Sequence, residues 1–393
     1  MKILITVIVF SLSHCFLSQP PENTNANSNV FINPSPTINA AENNATTPDS
    51  IIRERIQIKS IPKRNGYKLD GFSKASKSKS KQSQSIQSSQ IIEQEYQQSR
   101  TQSTTRMISP ESQSKMILEL EKIEEDENAK FEYNLYQYTL SNYDVSKEVF
   151  INNAEKIRPN DERVLLQKIA NECAKGDSIS TRKYLIKLSQ NQTLDKETID
   201  YAQDVLISAE GNDLLITHGT KDTYGAIYHQ MYRPNNSSTK IMVISLELMR
   251  SDAYRKLLSQ RGIKFPKSNE INTAFFKSFC ALNSNKKIAV SLTLPLDYLK
   301  TISPYAVPFG LVLITGGQKD LCLSDLEKLW VSKLNKRNLT MHKSQQAKNY
   351  AKNYGPTQQL LRRYEEQKMA NPYMKPAKSF KKKSSKISKP SKN

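Results

Sequence analysis

The run Asp213-Leu-Leu-Ile-Thr-His-Gly-Thr-Lys-Asp-Thr-Tyr224 reads as a short apolar strand, a turn on one glycine and the start of a helix. A brief, unbroken apolar run bounded by turn residues suits a strand buried on both faces. Gly219 supplies the turn, and Asp222 stands in the first helical turn, where a carboxylate is favoured. Working outward, similar runs recur at Lys240-Ile-Met-Val-Ile-Ser245, Lys287-Ile-Ala-Val-Ser-Leu-Thr293 and Phe309-Gly-Leu-Val-Leu-Ile314. Helical stretches separate them at 223–231, 250–260 and 272–282. Strands alternating with helices predict an α/β unit over residues 211–340, with a small parallel sheet covered on both faces.

Upstream, from about Ser114, apolar residues take a helical period and successive helices are expected as far as Ser208. Asp161 and Asp195 open equivalent helices 34 residues apart, with a helix, a turn and a second helix between. That spacing is the tetratricopeptide period, so residues 114–210 are expected to form TPR-like helical hairpins packed on the α/β unit; a plain helical hairpin is the simpler alternative. Helical, strongly charged sequence over 341–374 follows the α/β unit. A helix at 323–334 carries the only tryptophan, Trp330.

The candidate ligand loop is Thr217, His218, Gly219, Asp222 and Thr223. In a parallel sheet, ligands sit beyond the carboxyl ends of the strands, where backbone N–H groups and the helix dipole favour anions. His218 and Asp222 could form a polar couple there, or Asp222 could simply cap the helix. One glycine makes neither a dinucleotide fingerprint nor a P-loop. With Ile227-Tyr-His-Gln230, the apolar run at 240–248 and Tyr254, this stretch resembles the soluble C-terminal region of a bacteroidete family of O-mannosyltransferase-like membrane proteins. Gly219, Asp222 and Thr223 match the family pattern, whereas His218, Thr220 and Lys221 depart from it, and the family's many-helix membrane region is absent. The resemblance implies the fold and an envelope setting, and it carries over no catalytic role.

The flanks differ in kind. Lys2, the apolar run Ile3–Phe10 and small or polar residues up to Gln19 follow the order of a secretory signal, expected over 1–18. Acylation at Cys15 is a weaker alternative. Residues 19–113 are rich in Asn, Ser, Gln and Lys and are expected to be a disordered linker. An apolar patch at Ile51–Ile61 and an Asp49-Ser50-Ile51 triplet of sugar-acceptor form interrupt it. The last stretch, 375–393, holds eight lysines and no acid, while 53–106 holds twelve basic residues against four acidic. Most of the formal +20 therefore lies on the flanks and defines no basic face on the folded body. In the tail, Lys378, Lys381, Lys382, Lys383 and Lys386 are candidates for holding an anionic surface, and export makes nucleic acid the less favoured anion.

Hydrophobic residues make up 37% of the chain. Its mean hydropathy of −0.63 agrees with long polar flanks. Four histidines and scattered cysteines match no zinc pattern, and no nucleophile elbow or calcium loop is present. No cofactor, metal or catalytic residue is expected. The sequence favours an exported envelope protein that serves as a non-enzymatic scaffold with envelope-protein partners. A glycan- or phosphate-binding loop at 217–223 and nucleic-acid binding through the tail are the alternatives.

Overall fold

The computed structural model describes residues 72–102, 105–232, 240–268, 270–315 and 322–370. The expected signal, Cys15, the Asp49 triplet, the Ile51–Ile61 patch and the lysines of the tail lie outside the described residues. A mostly helical chain surrounds one five-stranded sheet. Among the described residues no helix is long and apolar enough to cross a membrane.

Helices α1 (Phe72–Gln102), α2 (Pro110–Glu121), α3 (Lys130–Thr139), α4 (Glu148–Ile157), α5 (Glu162–Lys175), α6 (Ser178–Gln190) and α7 (Lys196–Ser208) precede the sheet. Their starts follow capping chemistry: Ser109, Asp161, Asp177 and Asp195 each accept a hydrogen bond from a backbone N–H of the first turn. Gly176, at φ +76°, ends α5 in the left-handed conformation that suits glycine.

Helix α1 lies where the sequence reading places the linker. Its buried positions follow a helical stripe at Ser85, Ser88, Ile92, Ser99 and Arg100, with Tyr96 half-buried between them. Ser88 donates to Glu119 at 2.8 Å and Ser85 donates to Asp126. The stripe is largely hydroxyl, so it carries no hydrophobic signal. The serines make hydrogen bonds to α2 and the turn beyond it, Ile92 joins Met116, Leu120 and Ile123 in a small core, and Arg100 pairs with Glu247.

The sheet comprises β1 (Leu214–Thr217), β2 (Met242–Ser245), β3 (Ile288–Ser291), β4 (Val307–Phe309) and β5 (Val312–Thr315), in the order β2-β1-β3-β5-β4. Helices α8 (Thr220–Tyr232), α9 (Asp252–Gln260), α10 (Thr273–Leu282) and α11 (Leu296–Ile302) fall between the strands. Strands β1, β2 and β3 pair in parallel, with Ile216 beside Ile244 and Val290. The expectation of a purely parallel sheet is corrected at the other edge: β5 runs antiparallel to β3 and to β4. The reason is Gly310. It breaks the apolar run expected as one strand, takes φ +63°, and with Leu311 forms a two-residue turn too short for a parallel crossover.

Side chains alternate across the sheet. Leu214 and Ile216 point into a core shared with Tyr138, Phe276, Phe279 and Tyr298. Leu215 and Ile314 face the opposite core, with Tyr201, Val205, Tyr350 and Tyr354. The last two come from α14 (Gln345–Lys352) and from just before α15 (Gly355–Ala370), so the charged C-terminal helices cover the sheet's second face. Between β5 and them, α12 (Leu323–Lys328) runs into a π-helical turn at Leu329–Lys333, and α13 is a single turn (Arg337–Thr340).

Candidate functional site

Thr217, His218, Gly219, Asp222 and Thr223 come together at the carboxyl end of β1 and the start of α8, and all five are buried. The Thr217 and Thr223 hydroxyls are 2.9 Å apart, and Thr217 Oγ1 also donates to the Ile244 carbonyl at 3.2 Å. Gly219 takes φ +84° and makes the turn. The expected couple exists in another form. Asp222 Oδ2 accepts from the His218 backbone N–H at 3.2 Å, while neither ring nitrogen of His218 makes a hydrogen bond of good geometry among the described residues. Asp222 thus reaches back to the residue before the helix, as in a capping box, and ties down a backbone donor that an anion would otherwise use.

Groups from the neighbouring strand ends complete the cluster. Ser291 Oγ, at the end of β3, donates to Asp222 Oδ1 at 3.3 Å and lies 2.8 Å from Thr293 Oγ1. Glu247 follows β2 and is buried, 5% exposed. Tyr143 donates to it at 2.6 Å. Arg100, from the last turn of α1, pairs with both of its oxygens. Arg106 donates to the Thr293 carbonyl at 3.3 Å and acts electrostatically on Asp222. Two guanidiniums from the amino-terminal segment therefore face two carboxylates at the ends of the parallel strands.

Electrostatics follow from this enclosure. Burial raises Asp222 to about 6, against the pull of hydrogen bonds from Thr293, the His218 backbone and Ser291 and of the Arg106 cation. Burial lowers His218 to about 3, with Glu247 opposing and the two arginines reinforcing the shift. Glu247 behaves in the opposite way to Asp222. Burial works against its charge, yet Arg100 and the hydrogen bonds to it hold the carboxylate down to about 2. Burial likewise lowers Arg106 to about 10. At neutral pH the cluster holds two cations, two anions and an uncharged imidazole.

Backbone strain gathers at the same place. Arg106, Asn142 and Tyr143 have φ of +52°, +59° and +61°. Asparagine tolerates that region, whereas tyrosine adopts it at a cost of about 1 kcal/mol or more. Tyr143 is held there by its hydroxyl on Glu247 and by Ser251 Oγ, which donates to its carbonyl at 2.9 Å.

No family model, curated protein or solved structure matches the chain.

Arg100, Arg106, Tyr143, Glu247, Ser291 and Thr293 belong to the site, and the sequence reading does not single them out. Glu247 had a signal: it is one carboxylate inside the apolar run Ile244–Met249, and a charge in such a run needs a partner. The arginines had none, because they sit in a polar stretch indistinguishable from its surroundings. Outside the crevice, a cavity of about 720 Å³ opens between the amino-terminal segment, the turn after α3 and the start of α9.

Proposed function

We propose that this chain is an exported cell-envelope protein that acts as a non-enzymatic scaffold, its helical layer making protein contacts on an α/β platform. The observation that carries the reading is the filling of the strand-end crevice. Where α/β sheets commonly receive a ligand, Arg100 of the same chain already pairs with Glu247, Arg106 acts electrostatically on Asp222, and Thr217, His218, Gly219, Asp222 and Thr223 are buried. A pre-formed pocket open to a small anion is the requirement of the glycan- or phosphate-binding alternative, and the described loop instead carries a buried carboxylate of its own, Asp222, with that of Glu247 acting on His218.

Residues 161–208 support the repeat-like part of the reading. Asp161 and Asp195 each cap a helix 34 residues apart and α5 packs on α6 as a hairpin, while α7 packs on α8, which follows β1 in the α/β unit. Stacked helix pairs present extended faces for other chains. The lysine-rich tail, through Lys378, Lys381, Lys382, Lys383 and Lys386, would hold the protein to an anionic surface.

The test is fractionation of cells producing the protein, intact-mass measurement of the mature chain, and crosslinking in the compartment that holds it. A chain cleaved near residue 18 with reproducible envelope-protein crosslinks is the expected result. An uncleaved chain in the cytoplasm, or a glycan or phosphate ester bound in competition with mutation of His218 and Asp222, overturns it.

A further inference from the structure

Two described asparagines stand in the triplet that accepts an N-linked sugar in an exported chain, an asparagine with serine or threonine two positions on and no proline between. They are Asn191-Gln192-Thr193 and Asn338-Leu339-Thr340. The fold treats them in opposite ways. Asn191 ends α6 at the turn into α7, and both it and Gln192 are exposed. Asn338 lies in the single turn of α13 and is 2% exposed.

The side-chain amides differ in the same sense. Asn191 Nδ2 donates to the Asn160 carbonyl at 3.2 Å, in the exposed turn between α4 and α5. An amide nitrogen carries two hydrogens, so one remains for substitution and the tie between the turns survives it. Gln192, at φ +60°, and a bond of 3.2 Å from the Thr193 N–H to the Leu188 carbonyl close the turn on the protein side. Asn338 Nδ2 instead donates to the Glu197 carbonyl at 3.0 Å, and its Oδ1 is sealed from solvent. A sugar on Asn338 would have to enter the packed contact of α13 with α7.

We propose that Asn191 is an N-glycosylation site, and that the folded protein carries its sugar there and not at Asn338. Asn191 Nδ2 bonds to the anomeric carbon of an oligosaccharide carried on a polyprenyl diphosphate. The bond from that carbon to the diphosphate oxygen breaks, and the polyprenyl diphosphate leaves as the amide gives up one proton. Thr193, whose hydroxyl the acceptor triplet requires, is 7% exposed in the fold, so transfer precedes closure of the turn, while the chain crosses the membrane. The assignment rests on the export reading and extends it. A bulky, solvated group at the α6–α7 turn, beside the α4–α5 turn, keeps this edge of the helical layer in solvent, and partner contacts fall on its other faces.

The experiment is purification of the full chain from the cells that naturally produce it, followed by tryptic digestion and glycopeptide mass mapping of peptides 188–196 and 338–343, which hold one triplet each. Asn191→Gln, Thr193→Ala and Thr193→Ser are mapped beside the wild type; Thr193→Ser keeps the acceptor hydroxyl, and Asn191→Gln changes only an exposed side chain, so the test stands where Thr193→Ala does not fold. A sugar mass is expected on 188–196 in the wild type and in Thr193→Ser, with complete loss in the other two variants and a bare 338–343 throughout. A bare 188–196 on a chain whose signal has been cleaved overturns the site and leaves the export reading standing. An uncleaved cytoplasmic chain removes both, and a sugar on 338–343 of the folded protein overturns the selection by burial.

Discussion

Glu247 accepts from Tyr143 and pairs with both ends of the Arg100 guanidinium, with almost no solvent on either partner. Taking both charges out of water gains little net stability, but removing one partner strands the other. Arg100→Ala is therefore expected to cost about 3 to 5 kcal/mol in denaturant unfolding, and Arg100→Ala with Glu247→Gln much less than the single change. A single variant as stable as the wild type would show that α1 does not dock through this pair. Glu247 and His218 are both lowered in the fold, so their contributions are present above the unfolded values and lost as pH falls, through about 2 for Glu247 and from near neutrality toward about 3 for His218. Asp222 is raised, so its contribution is greatest in acid and is lost as pH rises through about 6. His218→Leu is thus expected to lose less stability than the wild type between pH 7 and pH 4, and Asp222→Asn to lose more. Urea midpoints at pH 7, 5.5 and 4 decide this, and three parallel profiles would contradict it. The half of this cluster on 217–223 was legible because glycine, helix-start carboxylate and apolar run fall together in sequence. The other half comes from separate stretches of the chain, and no local pattern links Arg100 to Glu247, 147 residues away.

Elements show the same division. Apolar runs and capping aspartates locate β1 to β3 and helices α3 to α10 to within a few residues, since burial on both faces and N-cap chemistry write themselves into adjacent positions. Helix α11 went unmarked, and two larger features escaped. Helix α1 buries serines, which reads as polar linker, and the β4–β5 hairpin hides inside what reads as one strand. Gly310 is the hinge of the second. A Cβ at this position would stand 2.8 Å from Ser208 Cβ and 2.9 Å from Leu329 Cδ2, at a φ that disfavours any side chain. Ser208 Oγ accepts the Leu311 N–H at 3.0 Å, and Thr357 donates to the Gly310 carbonyl, so the turn cannot shift without breaking its ties to α7 and α15. Gly310→Ala is expected to destabilise by about 3 kcal/mol or more, well beyond the cost of about 1 kcal/mol expected for Asp195→Ala at the α7 cap. Thermal unfolding of the two variants side by side tests the ranking, and an equal loss would mean that the hairpin relaxes around the added methyl.

Across the whole molecule, the chain beyond the sheet returns to it. Asp204 is fully buried in α7 and is satisfied entirely from that return: the backbone N–H groups of Asn335 and Lys336 donate to it, each at 2.8 Å, and Tyr354 donates at 2.7 Å. Nearby Asp200 pairs with Arg337 and meets His342 at 2.8 Å. Tyr350 stacks on Tyr201 with ring centres 4.3 Å apart. Burial raises Asp204 despite its three donors, so their loss would leave a carboxylate that the surrounding core cannot tolerate as a charge. The charged composition of 341–374 suggests a solvated extension, yet its few tyrosines and small residues form one wall of the second core. A chain ending at Leu334 is accordingly expected to be insoluble or to bind a hydrophobic dye strongly, because it bares the sheet face carrying Leu215 and Ile314 together with Tyr201. A chain ending at Ala370 keeps every contact named here and is expected to unfold at the temperature of the full chain. If the shorter chain were soluble and cooperative, the second face would not need the C-terminal helices, and the α/β unit would stand as a domain without them.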